Sequence, residues 1–191
     1  MPRKRRVVLS DDLKEAIADL SDKEKDKLLF RLIPKDPALV DRLTYQLLEG
    51  GSNPEERRHD LMVKIEQQLE QSALYFYSPG YLLLDLRTIS GDINRHVRTT
   101  RDKYGEIALN LLMLNRSLGL LQHKLQAFGH QKSRTLDTYI IKRAQKLEQL
   151  IEKIHEDYQL DFADDWEQLM LHISRLSNLR RMARLLDFEY E

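Results

Sequence analysis

Two Glu-x-x-His pairs are the residues of this chain best suited to holding a metal. They are Glu56 with His59 and Glu152 with His155, and pairs with this spacing ligate the metal ions of di-iron helical bundles. Such a site also needs one inward-facing glutamate from each of two further helices. The central helices offer only Glu106, at the start of one of them. The sequence therefore predicts no metal site and no cofactor.

The acidic residues between positions 156 and 167 could offer oxygen ligands to calcium. An EF-type loop places its ligands at alternate positions and has glycine at its sixth position. Here Leu160, Phe162 and Trp166 interrupt the acids, and the stretch contains no glycine. We interpret the run as the connection into the last helix, whose positive N-terminal dipole favours nearby acids.

Sequence motifs for nucleophilic or phosphate chemistry are absent from the chain. It has no cysteine, no Gly-x-Ser-x-Gly turn, no Walker-type loop and no Gly-x-Gly-x-x-Gly. The sequence predicts no catalytic residue, and a non-enzymatic protein is the favoured interpretation. An enzyme whose site is assembled from several helices is the alternative, because spacing along one chain does not exclude such a site.

Charge is distributed unevenly along the chain, although the formal net charge is zero. Residues 87–146 carry 12 basic against 4 acidic side chains, a net of +8. The flanking segments 7–86 and 147–191 each have a net charge of −6, and residues 1–6 carry four positive charges. A basic segment between two acidic ones could bind an anionic partner, or its charges could pair inside the fold.

The cations of this basic segment are the candidate binding residues. Arginine and lysine neutralise phosphates, and arginine does so with paired hydrogen bonds. The candidates for an anionic partner are Arg95, Arg98, Arg101, Lys103, Lys132, Arg134, Lys142 and Arg143. The alternative, which is the favoured interpretation, is structural, because cations favour helix C-termini and the acidic flanks could pair with them internally.

Aromatic residues cluster around the Ser78-Pro79-Gly80 turn. Phe76 continues an apolar helical stripe and is predicted to be part of the core. Tyr75, Tyr77 and Tyr81 are candidates for an exposed aromatic platform that contacts a partner. The alternative, which is the favoured interpretation, is that these tyrosines pack over the end of the bundle, since tyrosine is often half-buried.

The element that must organise all these residues is a long apolar helix between Ile107 and Phe128. Its apolar side chains recur in steps of four and three, which is the periodicity of one helix face. They are Ile107, Leu111, Leu114, Leu118, Leu121, Leu125 and Phe128. Further leucines widen the stripe, so this helix has to be covered on several sides. It is predicted to be the central helix of a bundle.

The helix-breaking positions along the rest of the chain predict an all-α fold. Residues 1–9 form a basic, flexible leader, and residues 10–50 form a cap of three short helices. Residues 54–191 form a bundle of about five long, mostly antiparallel helices, and the cap is expected to pack with it as one globular unit.

Two of these predicted helices have definite faces or lengths. The third short helix begins at Asp36-Pro37 and is predicted to bury Leu39, Val40, Leu43, Leu47 and Leu48. The last long helix is predicted to run without a break from about Ala163 through Leu176 to Leu186.

The favoured function is a non-enzymatic helical module that binds another protein or a second copy of itself. A nucleic-acid-associated protein using segment 87–146 is the alternative. No apolar run approaches the roughly 20 residues that span a bilayer, so membrane insertion is not expected. Without cysteine the chain has no disulfide, which fits the reducing cytoplasm.

Overall fold

A computed structural model describes residues 8–51 and 53–190 of the chain, so the basic Arg3 to Arg6 tail lies outside the described residues. Within them every regular element is helical and no strand occurs. The α-helices are α1 (Asp11–Ala18), α2 (Asp22–Leu32), α3 (Pro37–Leu47), α4 (Glu55–Leu74), α5 (Pro79–Thr100), α6 (Lys103–Gln126), α7 (His130–Ile151), α8 (Glu156–Gln159), α9 (Ala163–Arg175) and α10 (Ser177–Leu185), with 3-10 turns at Ile33–Lys35 and Leu160–Phe162. The predicted all-α bundle is confirmed.

Polar side chains begin several of these helices by accepting hydrogen bonds from otherwise unpaired backbone amides. Asp36 accepts from the Ala38 amide at 3.1 Å to begin α3. Asp102 accepts from the Gly105 amide at 2.7 Å to begin α6. These capping residues are at positions where the sequence predicts one helix to end and the next to begin.

The long helix α6 lies at the centre and packs against α4, α5, α7 and α9. Its predicted stripe is buried from Ile107 to Leu125. Pairs of cross-helix contacts give the directions. Arg58–Asp102 and Glu70–Arg116 follow the same order along α4 and α6, which are therefore parallel. Tyr139–Leu86 and Arg143–Ser90 do the same for α5 and α7.

Helix α3 packs on α5 through a face that is only partly the predicted one: Leu39 and Leu43 are half-buried, but Val40 is 39% exposed. Tyr45 is its buried residue at 3% exposure, whereas Leu47 and Leu48 are 74% and 80% exposed, so their predicted burial is wrong. Polar contacts determine how α3 is oriented on α5. Asp41, one turn before Tyr45, accepts a 2.7 Å hydrogen bond from the Thr99 hydroxyl of α5, and the Arg57 guanidinium lies over the Tyr45 ring.

The last predicted helix is broken at Leu176, which is extended with φ −101° and ψ 111°. The prediction of an unbroken helix is therefore wrong. The Asn178 side chain donates to the Phe128 carbonyl at 2.9 Å and to the Ser133 hydroxyl at 3.0 Å. These bonds tie the start of α10 to the connection between α6 and α7, and asparagine readily exchanges helical geometry for such contacts.

Helices α1 and α2 contain no buried residue, a property that they share only with the four-residue α8 among the described α-helices. The Lys25 ammonium donates to the Ala18 carbonyl at 2.8 Å, which holds the two helices at a turn. We call residues 8–35 the N-terminal arm. Of the predicted three-helix cap, α3 is the helix that contributes a buried side chain to the bundle.

Candidate interaction surfaces

The two Glu-x-x-His pairs are not brought together as one set of metal ligands. Glu56 and His59 are exposed in the first turns of α4. Glu152 follows the end of α7, and the His155 ring instead accepts a 3.3 Å hydrogen bond from the Asp157 amide. Among the described residues, no three His, Asp or Glu side chains are grouped so that they could hold a metal ion.

Most of the candidate cations are exposed. Arg95 and Arg98 lie in the C-terminal half of α5. Arg101 and Lys103 flank the turn into α6. On α7, Lys132 and Arg134 lie near the start and Lys142 lies further along the helix. Arg101 takes the left-handed conformation, with φ 60°, that ends α5. Exposure makes these side chains available to a partner.

These cations do not form one patch, because they lie toward opposite ends of the bundle. Arg143 of α7 reaches Ser90 of α5, and the two helices run in parallel. Arg98 comes eight residues after Ser90, whereas Arg134 comes nine residues before Arg143. At about 1.5 Å per residue, the two groups are separated by about 25 Å along the bundle.

Arg143 differs from the other candidates because its guanidinium forms hydrogen bonds inside the bundle. Its guanidinium donates to the Ser90 hydroxyl at 2.9 Å, to the Tyr139 hydroxyl at 3.1 Å and to the Asn110 side-chain oxygen at 3.2 Å. The Ser90 and Tyr139 hydroxyls are also hydrogen-bonded to one another. This set holds α5, α6 and α7 together and leaves Arg143 unsuited to an external ligand.

A groove between α3 and α5 brings together cations from distant parts of the sequence. Its volume is about 930 Å³, and Arg42, Arg95 and Arg98 line it together with Asp36, Asp41 and Thr99. We call it the arginine groove. Arg42 comes from the short-helix segment and is absent from the candidates based on segment 87–146. Nothing in its local sequence indicates that it lies beside α5.

The carboxylate of Asp41 in this groove is already neutralised. Arg57 donates to it at 2.9 Å and also bonds Glu49 at 2.6 Å. Burial raises the pKa of Asp41, but hydrogen bonds from Thr99 and Arg57 and the charge of Arg57 outweigh this effect, and the pKa lies below its usual value. Arg42 and Arg98 form no ion pair within the described residues. The groove therefore contains three arginines beside the carboxylates of Asp36 and Asp41.

A second groove runs between α4 and α5 and is bordered by tyrosines. Its volume is about 600 Å³; Tyr75 and Tyr81 stand at its edge, and Phe76, Leu82 and Ile89 form its floor. We call it the tyrosine groove. Tyr75 is 76% exposed and Tyr81 is 61% exposed. These side chains project from the bundle, in contrast to the alternative that they pack over its end.

The turn between α4 and α5 produces this arrangement. Helix α4 ends at Leu74, and Ser78 caps α5 by accepting from the Tyr81 amide at 3.4 Å. The rings of Tyr77 and Tyr81 meet edge to face, with centroids 5.4 Å apart, and Tyr77 is 76% exposed. Phe76 packs against Phe128 with centroids 5.9 Å apart, in accordance with its predicted core position.

The buried pair Asp102 and His96 serves the interior. Asp102 and His96 are each 7% exposed, and Arg58 bonds the same carboxylate at 3.0 Å. Burial raises the pKa of Asp102, but hydrogen bonds from His96 and the Gly105 amide and the charge of Arg58 outweigh it, and the pKa lies below its usual value. This group joins α4, α5 and α6 beneath the surface, which is a structural role.

Comparison with known proteins yields no relative: no family model, no curated protein and no solved structure matches the chain. In the described part of the chain, every helix is too short or too polar to cross a membrane. A proposal for its function therefore has to rest on the surfaces described above.

Proposed function

We propose that this chain is a non-enzymatic protein-interaction module that binds an amphipathic helix of another protein in the tyrosine groove. The observation that carries the proposal is the exposure of Tyr75 and Tyr81 beside an apolar floor, with the exposed Tyr77 ring in contact with Tyr81. Tyrosine is enriched at binding hot spots, because its ring supplies apolar contact area and its hydroxyl a polar contact.

The dimensions of the groove suit a short helix. Its α4 wall extends from Lys64 to the end of the helix at Leu74, about 15 Å at 1.5 Å per residue. This length matches three turns of a bound helix, whose apolar residues at i, i+3 or i+4 and i+7 would lie on Phe76, Leu82 and Ile89. The polar side chains that also line the groove can hydrogen-bond the polar edge of such a helix; they are Gln67, Gln68, Gln71, Ser72 and Thr88.

Nucleic-acid binding by segment 87–146 has less support. The exposed cations occupy opposite ends of the bundle, and two others are paired internally: Arg143 with hydroxyls and Lys146 with Glu106 at 2.5 Å. An enzyme assembled from several helices also has less support, because Asp102 and His96 are used in a buried cluster.

A selection from a displayed library of helical peptides, with the full chain as bait, tests the proposal. We expect enriched peptides to share an i, i+3/i+4, i+7 apolar pattern. Their affinity should fall at least about 10-fold with Tyr81→Asp, since a buried tyrosine anchor is lost. Leu160→Asp is the matched control, because Leu160 is 80% exposed away from the groove. Failure to enrich such peptides, or equal binding by both variants, would contradict the proposal.

A further inference from the structure

The exposed side of α10 consists largely of arginines. Arg180, Arg181 and Arg184 are all exposed, and the helix contains no aspartate or glutamate. Together with Ser177 and Leu185 they line a shallow groove with a volume of about 490 Å³. The lining of this groove therefore has three positive charges and no carboxylate, in contrast to the arginine groove between α3 and α5.

The adjacent side of α7 adds further cations to this surface. The Thr138 hydroxyl of α7 donates to the Met182 sulfur of α10 at 3.5 Å, so the two helices lie side by side here. Arg134 and Lys142 lie one turn before and one turn after Thr138, on the same side of α7. Both are exposed, and Arg181 directly precedes Met182 on α10. The two helices therefore present their cations next to one another.

Carboxylates do not neutralise these cations. Within residues 8–51 and 53–190, none of the five takes part in an ion pair. The acid between the two cations of α7 is Asp137, which is 4% exposed and accepts a hydrogen bond from Ser133 inside the bundle. We call the five residues the cationic surface; they are Arg134, Lys142, Arg180, Arg181 and Arg184.

The composition of the cationic surface fits phosphate groups. Guanidinium groups form paired hydrogen bonds with phosphate oxygens, and closely spaced phosphates attract closely spaced cations. The centre of a protein–protein interface is instead apolar, with few charged residues, and a helix that lies on a bilayer inserts apolar side chains into it. In α7 and α10, all of whose residues the structure describes, Leu185 is the exposed large apolar side chain. A phosphate backbone is therefore the partner that this composition favours.

The dimensions of the cationic surface suit several phosphates of one strand. Arg134 and Lys142 are eight residues apart in the sequence, which corresponds to about 12 Å along α7. One strand of a duplex carries a phosphate about every 3.4 Å along the helix axis. A length of about 12 Å therefore spans about three to four phosphates of that strand.

We infer that the cationic surface binds the phosphate backbone of a nucleic acid without preference for base sequence. Its groups are suited to phosphates, and phosphate contacts position a protein on a duplex without reading the bases. This site differs from the alternative based on segment 87–146, because three of its five cations come from α10. The inference does not depend on the tyrosine groove, so the two proposals can fail separately.

Fluorescence anisotropy of a labelled, mixed-sequence DNA duplex, titrated with the full chain at several salt concentrations, tests this inference. We expect the logarithm of the binding constant to fall linearly with the logarithm of the salt concentration, with a slope of about −3 to −4, because about four phosphates are neutralised. The variant that combines Arg180→Gln, Arg181→Gln and Arg184→Gln should bind at least about 10-fold more weakly at about 50 mM salt. Its slope should be smaller in magnitude by about 2 to 3, about one for each lost cation. A duplex of a second sequence should bind with the same affinity.

The matched control removes three exposed cations from α2 by combining Lys23→Gln, Lys27→Gln and Arg31→Gln. It lowers the net charge by the same amount, so it should bind the duplex nearly as tightly as the wild type does. Circular dichroism establishes that both variants fold. No binding by the wild type at low salt, equal binding by the wild type and the α10 variant, or an equal loss in both variants would each overturn the inference. Binding to vesicles of phosphatidylcholine with phosphatidylserine but not to the duplex would also overturn it, and would identify a membrane surface as the partner.

Discussion

The guanidinium of Arg143 lies 2.9 Å from the hydroxyl oxygen of Ser90, 53 residues earlier in the chain. The same side chain donates to Asn110 and Tyr139, so one arginine fixes the register of three helices. The neighbouring Lys142 points into solvent. Two adjacent basic residues of the same segment thus have opposite roles, one inside the bundle and one on its surface.

Replacing Arg143 by methionine should lower the free energy of unfolding by about 2 kcal/mol, because three buried polar groups lose a donor. Lys142→Met should change it by less than about 0.5 kcal/mol, as is usual for exposed sites. Urea denaturation followed by circular dichroism measures both. Equal effects of the two substitutions would show that the hydrogen bonds of Arg143 contribute little net stability.

Replacing Asp102 by alanine should cost about 3 kcal/mol, because it removes the α6 cap and leaves the positive charge of Arg58 buried without its carboxylate. Asp102→Asn keeps a capping oxygen and should cost less. Since the folded-state pKa of Asp102 is lowered, its contribution is present above about pH 4 and is lost as the pH falls through the folded value. Denaturation of wild type and Asp102→Asn between pH 7 and pH 3 should show the two converging.

Asp137 has the opposite pH dependence. It is 4% exposed and accepts a 2.7 Å hydrogen bond from Ser133. Burial raises its pKa from 3.8 to about 6, although Ser133 acts against the rise. Between these two values the native state binds more protons than the unfolded state, so stability falls as the pH rises through this range. Ionised Asp137 therefore destabilises the fold at pH 8.

We expect Asp137→Asn to be more stable than wild type at pH 8 by about 1 to 2 kcal/mol. The rise in the pKa of Asp137 corresponds to ~3 kcal/mol in total, and the substitution should recover part of it. The advantage should shrink below pH 6 and disappear near pH 4. Asp60→Asn, at an exposed position of α4, should show no such trend. A constant difference across the pH series would mean that Asp137 is not protonated in the native state.

Two helical glycines should respond oppositely to alanine. A Cβ at Gly91 would meet no atom within 4 Å, so Gly91→Ala should stabilise α5 by about 0.5 to 1 kcal/mol. A Cβ at Gly105 would lie 2.1 Å from an Asp102 carboxylate oxygen. Gly105→Ala should therefore displace the α6 cap and destabilise the fold by about 1 kcal/mol or more. Thermal denaturation of both variants checks the signs, and a stabilising Gly105→Ala would contradict the capping geometry.

The central helix could be predicted because its own sequence determines it. The residues of its stripe from Ile107 to Leu121 are at most 1% exposed, as a helix covered on several sides requires. The face of α3 could not be predicted in this way. Its leucines have the periodicity of a buried face, but Asp41 and Tyr45 meet Thr99 and Arg57, which are distant in sequence.

The same distinction applies to the candidate surfaces. Tyr75, Tyr77 and Tyr81 share one turn, so their proximity was readable from the chain, although their exposure was not. The arginine groove joins Arg42 to Arg95 and Arg98 across two helices. Local spacing carries no information on such a contact, and the role of these residues in binding stays a prediction.

The central position of α6 determines how the molecule opens. Four helices bury their apolar faces against it, so none of them can leave without exposing the core, and their backbone amides should exchange with solvent deuterium only through global unfolding. The arm contributes no buried residue to that core. In a single chain its amides should exchange at nearly the rate of an open peptide, and trypsin should cleave it first, at Lys23, Lys27 or Arg31.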